Sequence, residues 1–186
     1  MNFAPLTRRD FDLLATQMRG RVFDSSTALA VARRCRHGAP QVLLCRPLKG
    51  GLPFPTTLWL TCPWLVKKLG TLESLGGVAQ LEEQLRAHPQ AWWAYQRRYA
   101  ALRLSLIPKA QQRFLSRYKP RLWASLVRGG VGGISSPYPT AKCLHLQVGA
   151  WLGMGYHPAS RWLRGLLPQV EGDDCENLCF RTCAKA

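Results

Sequence analysis

The chain has 186 residues with an apolar share of 47%, enough for one domain with a real core. No apolar run approaches the ~20 residues of a membrane helix, and the first ten residues lack the basic start and apolar stretch of a secretory signal. A cytoplasmic protein is therefore expected, with its 7 cysteines reduced, and buried, metal-bound or reactive rather than paired.

The charge is lopsided: 26 Lys and Arg against 10 Asp and Glu, a net +16. Four of the acids, Glu171, Asp173, Asp174 and Glu176, crowd into the tail. Such a field attracts nucleic acid or other polyanions, but it does not specify a fold.

In chain order, residues 7–19 read as a first helix. Phe11, Leu14, Ala15 and Met18 recur at helical spacing, and Thr7 or Asp10 is placed to cap it. Residues 28–34 and 41–46 read as two strands around a His37-Gly38-Ala39-Pro40 turn. Residues 49–55 read as a loop, and 56–61 as a third strand stopped at Cys62-Pro63. Helices follow at 63–69 and 72–85, with a break expected at Gly76-Gly77. Pro89 starts another, with Trp92, Tyr95, Tyr99, Leu102 and Leu106 on one stripe.

Residues 109–128 read as a helix kinked or split at Pro120. Gly129 to Pro137 reads as a flexible connection, and 141–154 and 158–167 as the last two helices. The expectation is an α+β fold: a mainly helical single domain, residues 1–170, around a small three-stranded antiparallel sheet. An acidic, cysteine-containing tail covers 171–186.

Cys35 precedes a turn and Cys62 ends a strand, places where a thiol can face a site. Cys143, in Lys142-Cys143-Leu144-His145, lies near a helix start, where the dipole favours a thiolate. In a regular helix residues two apart diverge by about 200°, so Cys143 and His145 share an ion only if that first turn is extended. The tail run of Cys175, Cys179 and Cys183 has neither zinc-ribbon nor ferredoxin spacing. Cys45, within a strand, reads as ordinary core.

Other candidates read as structure. The Gly129–Gly133 run lacks a P-loop ending. Tyr95, Arg97, Arg98, Tyr99, Arg103, Arg113, Arg117, Lys119 and Arg121 interleave aromatics with cations as RNA-binding surfaces do. Helical spacing nevertheless puts Tyr95 and Tyr99 on a core stripe. His37, His88 and His157 are isolated histidines. The acids outside the tail are few: Asp10, Asp12, Asp24, Glu73, Glu82 and Glu83.

Taken in order, Arg34-Cys35, Gly38 with Pro40-Gln41-Val42, Pro53-Phe54-Pro55-Thr56, Trp59-Leu60-Thr61-Cys62-Pro63, Gly132-Gly133-Ile134 and Lys142-Cys143-Leu144-His145 form a distinctive set. Over most of residues 20–175 the chain resembles the uncharacterised bacterial family catalogued as domain of unknown function 501. The resemblance implies no assigned reaction. It implies a last cysteine near the C-terminus, best matched by Cys175. It also implies histidines where this chain has Gln147 and Ala150, and an asparagine where it has His157. The site face of residues 143, 147 and 150 would then keep Cys143 alone.

With the resemblance, the leading expectation is a thiolate-bound metal at Cys35, Cys62, Cys143 and Cys175, suited to zinc or an iron–sulfur cluster. His37, Lys142, His145, His157, Cys179 and Cys183 are its expected neighbours. Second comes a basic RNA- or nucleoprotein-binding module whose cysteines merely pack. Third comes a thiol enzyme with Cys143 as nucleophile and His145 or His37 as base.

Overall fold

Thr7 starts the chain's first helix, α1 (Arg8–Gln17), through a capping box: its hydroxyl accepts from the Asp10 backbone N–H, and the Asp10 carboxylate accepts from the Thr7 backbone N–H. The structure is a computed structural model and describes residues 3–54, 56–136, 138–168, 170 and 179. The buried stripe of α1 is Asp10, Leu13, Leu14 and Gln17, continued by Met18. Phe11, expected on that stripe, is 43% exposed. Two polar residues take its place because each is bonded. Arg34 grips both oxygens of Asp10, and the Gln17 amide donates to the Pro40 carbonyl.

The sheet has three antiparallel strands in the order β1 (Ala28–Arg34), β2 (Pro40–Cys45), β5 (Leu58–Leu60). All six residues of the central strand β2 are buried, and side chains alternate between its faces. Val42 and Leu44 join Ala30, Leu58 and Leu60 in the main core. Leu43 and Cys45 join Val31, Leu14 and Met18 under α1. The register pairs Val42 with Leu60, Leu43 with Trp59 and Leu44 with Leu58. Pairing runs one residue past β5 at each end, through Thr57 and Thr61. Residues 49–55, read as a loop, contain a two-strand ribbon instead, β3 (Leu48–Lys49) with β4 (Leu52–Pro53). Gly50 and Gly51 turn it at φ 56° and 78°, the double positive φ of a tight hairpin.

Helices α2 (Pro63–Ser74) and α3 (Gly77–Arg86) are divided at Gly76, φ 81°. Trp92, Tyr95 and Tyr99 of α4 (Pro89–Ser105) are at most 1% exposed, so the stripe read from spacing is core. Pro120 separates α5 (Lys109–Tyr118) from α6 (Pro120–Arg128).

The glycine run that follows is a clamped turn, not a flexible connection. Arg103 donates to the carbonyls of Leu126, Gly129 and Gly130. The Gln96 side-chain oxygen accepts from Val131 N–H.

α7 (Leu144–Met154) is apolar nearly all round and buried at nine of its eleven positions, as such a helix must be. It lies on the face of the sheet opposite α1, pressed against β5. A Cβ on Gly149 would sit 2.9 Å from the Leu58 carbonyl, and one on Gly153 would meet the Leu58 side chain. Those two glycines let the helix approach the strand, which sets the position of its N-terminus. α8 (Ser160–Leu166) closes the main core with Leu163.

Candidate metal centre

The helix expected from residue 141 starts at Leu144. Cys143 is its N-cap residue and is extended, at φ −164° and ψ 159°, and its side chain does not cap. The cap comes from Glu73, near the end of α2. One oxygen of that carboxylate, Oε1, accepts from the backbone N–H of Leu144 at 2.5 Å and of His145 at 3.3 Å. An anion there also suits the helix dipole.

The same Oε1 lies 2.9 Å from His145 Nδ1, while His145 Nε2 lies 3.0 Å from the Val66 carbonyl. A carbonyl only accepts, so Nε2 carries a proton and Nδ1 is the atom turned to the carboxylate. The extended backbone at Cys143 meets the condition under which Cys143 and His145 converge. One donor atom each from Glu73, Cys143 and His145 all lie within 4.8 Å of one another, the one such group of His, Cys, Asp and Glu among the described residues. The hydrogen bond with Cys143, then those with Glu73 and Val66, outweigh burial and hold the His145 imidazole up at about 9.

Beside the group opens a cleft of about 190 Å³, lined by Arg21, Trp59, Leu60, Cys143, His145 and Leu146 among others. Arg21 donates to the Leu60 carbonyl at 3.2 Å and lies 5.8 Å from the Trp59 ring centre. Its buried Nη1 has no hydrogen-bond partner among the described residues.

None of the other expected site residues that the structure describes belongs to this group. Cys62 is the N-cap residue of α2, in the main core. Cys35 packs with Leu13, Ala39 and Cys179, and the Cys179 thiol takes a hydrogen bond from Gln17. Neither Cys35 nor Cys62 belongs to the group of Glu73, Cys143 and His145. Cys175 and Cys183 lie outside the described residues. His37 is in the β1–β2 turn. Lys142 donates to the Gly132 carbonyl at 2.8 Å and so ties the glycine turn to the residue before Cys143. Cys45 is fully buried and its thiol is pushed up to about 12 by burial, as a core cysteine should be.

In sequence Glu73 is one of six scattered acids, and Arg21 carries no distinguishing pattern. The available signal for Glu73 was the scarcity of carboxylates in so basic a chain, with no capping side chain at Cys143.

The face of residues 143, 147 and 150 does not form, because the helix begins after Cys143. Gln147 and Ala150 are fully buried. His157 Nδ1 accepts from Ala159 N–H, so its Nε2–H donates to the Gln147 carbonyl oxygen, 3.1 Å away. The Tyr95 ring sits 4.8 Å from that imidazole.

Burial pushes His157 from an ordinary 6.5 to about 3, so it folds neutral. Below pH 6.5 the unfolded chain takes up a proton that the native state refuses, and stability drains away until about pH 3. From pH 7 to pH 5 the loss from this group is about 2 kcal/mol. His145 works in the opposite sense over this range. The difference in urea-unfolding free energy between the wild type and His157→Asn should therefore change by that amount. Parallel profiles would count against a neutral buried His157.

No curated protein and no solved structure matches the chain. A family model described as Protein of unknown function (DUF501) matches residues 31–164. That span includes Cys35, Cys62, Glu73, Cys143 and His145, and the chain belongs to this family.

Proposed function

We propose that this protein binds a divalent transition metal, zinc foremost, through Glu73, Cys143 and His145. The observation that carries the reading is the direction of His145. Its Nε2–H is spent on the Val66 carbonyl, which leaves Nδ1, a carboxylate oxygen and a sulfur converging on one another. Three Lewis bases so close need a cation among them, a proton or a metal. Metal-bound histidines characteristically donate their other ring N–H to a carbonyl or carboxylate.

One sulfur, one nitrogen and one oxygen form a zinc donor set, and three protein ligands leave a fourth position for water or substrate. The cleft beside Cys143 and His145 supplies room for that position. The reading departs from the four-thiolate expectation. Cys35 and Cys62 pack in separate apolar clusters, and an iron–sulfur cluster is held by cysteine thiolates, so the donors that do converge favour zinc.

The test is calorimetric titration of zinc into chelator-treated protein, with cobalt(II) as the spectroscopic reporter. Wild type should bind one equivalent, with a sulfur-to-cobalt charge-transfer band. Cys143→Ser should lose the band, and His145→Gln should weaken binding at least ~100-fold, more than loss of an outer-shell partner does. Unchanged binding in both variants would sink the proposal. Absent metal together with selective alkylation of Cys143 near neutral pH would favour thiol chemistry instead.

A further inference from the structure

Helices α5 and α6 meet at the single residue Lys119. Their inner faces are accounted for: Leu115 and Leu126 are buried with Ile107, and Leu122 and Trp123 pack against them. Their outer face is of a different kind. Phe114 and Tyr118, one turn apart on α5, are 53% and 59% exposed. Their ring centres are 5.2 Å apart, and the Arg117 guanidinium lies 5.5 Å from the Tyr118 ring.

Lys109, Arg113, Arg117, Lys119, Arg121 and Arg128 are exposed around them. No ion pair joins any of these six to a described residue. The sequence explains why: residues 84–170 hold thirteen Lys and Arg and no Asp or Glu. Lys109, Arg113 and Arg117 recur every fourth residue and form one row along α5, and Phe114 and Tyr118 form the next row.

We propose that this outer face binds single-stranded nucleic acid, with phosphates along the Lys109–Arg113–Arg117 row and bases on the Phe114 and Tyr118 rings. Cations alone would serve any polyanion. Exposed rings beside them suit a ligand that carries both a charged backbone and free π-faces. A duplex hides those faces in its own stack. An acidic peptide has no use for two open rings. A membrane-surface helix turns its whole apolar face outward, whereas the Leu115 side of α5 is buried inward. Nucleic-acid binding at this face does not require a metal at Cys143.

The probes are a short fluorescent oligouridylate and the matching oligothymidylate, followed by anisotropy across a salt series. A duplex of equal length and phosphatidylserine vesicles serve as competitors. Binding should weaken with salt, and single strands should outcompete duplex. The Phe114→Ala/Tyr118→Ala double variant should lose at least ~30-fold in affinity with an unchanged salt slope. Tyr118→Phe, which keeps the ring, should bind like wild type.

Arg113→Gln/Arg117→Gln should flatten the log–log salt slope by roughly 1.4. Lys67→Gln/Lys68→Gln, at two exposed cations of α2, should change affinity less than the arginine pair. All these positions are exposed, and thermal melts will show that the variants fold. Several results would overturn the proposal: no binding at low salt, an aromatic double variant that binds like wild type, or equal losses at α2. Preference for duplex would do the same, as would capture by vesicles alone.

Discussion

Glu73→Ala should destabilise the metal-free protein by about 3 kcal/mol and, at the proposed metal centre, reduce zinc affinity by at least ~100-fold, two losses from one carboxylate. The stability loss has a local origin. Oε1 satisfies two backbone N–H groups at the start of α7, a service worth roughly 0.5–2 kcal/mol at an N-cap. It also faces His145 Nδ1, and hydrogen bonds to charged groups contribute roughly 1.5–3 kcal/mol. The carboxylate is a quarter exposed, so the sum is taken near the lower end.

The pH dependence separates these parts. With its imidazole held at about 9, His145 contributes stability that is fully present below pH 6.5 and lost as pH rises through 9. The gap between wild type and Glu73→Ala should therefore narrow in alkaline solution, leaving the cap alone. Glu73→Gln should keep part of the cap, because an amide oxygen still accepts, and lose most of the charge effect. Urea unfolding at two pH values, with the His145 ring followed by NMR, reads both. A gap that stays constant with pH would mean that Glu73 only caps, and would remove it from the proposed metal centre.

Much of the frame was legible because it rests on local pattern. The apolar run that became β2, the stripe of Trp92, Tyr95 and Tyr99, and the breaks at Gly76-Gly77 and Pro120 all follow from periodicity and turn chemistry. The first helix buries a face displaced from its apolar spacing. Asp10 and Gln17 are polar residues whose partners, Arg34 and Pro40, come from distant strands. No periodicity rule assigns a carboxylate to a core.

The site turned on a smaller matter. A helix beginning at residue 141 sends Cys143 and His145 apart, whereas one beginning at Leu144 leaves Cys143 extended and lets the two converge. Helix boundaries are the least certain feature of any sequence reading. The partner that completes the group, Glu73, is 72 residues from His145, beyond the reach of any motif. Cysteine contexts drew attention to Cys35 and Cys62, yet a buried thiol packs as a small apolar group, and sequence does not separate that use from ligation.

Arg103→Ala should cost about 4 kcal/mol, the largest loss expected of any single substitution considered. Arg103 is 2% exposed, and no carboxylate pairs with it among the described residues. Burial pulls its guanidinium below the ordinary arginine range. Carbonyls balance that burial. Those of Leu126, Gly129 and Gly130 converge on its two terminal nitrogens, at the C-terminal end of α6, where helix carbonyls lack partners and the dipole is negative. The Tyr99 ring, 5.4 Å away, adds a cation–π contact.

Truncation would strand three buried acceptors, at roughly 1–3 kcal/mol each, and open a cavity. The terms overlap, so the estimate stays below their sum. Arg103→Lys should recover less than half of the loss, because an ammonium lacks the planar fork that reaches three carbonyls at once. Arg103→Met should fall between Ala and wild type, since it fills the volume and still leaves the acceptors bare.

The clamp extends toward the group of Glu73, Cys143 and His145. Gly130 is held where a Cβ would overlap Gln96 Oε1. Two residues on, the Gly132 carbonyl receives Lys142, the neighbour of Cys143. Loosening Arg103 should therefore lower zinc affinity at the proposed centre several-fold in the fraction that stays folded, without touching any of its three residues. Chemical denaturation of the three variants, with zinc titration of those that fold, measures both effects. A loss below about 1 kcal/mol in Arg103→Ala would mean that the carbonyls find other donors, and that packing of α4 against α6 holds the glycine turn by itself.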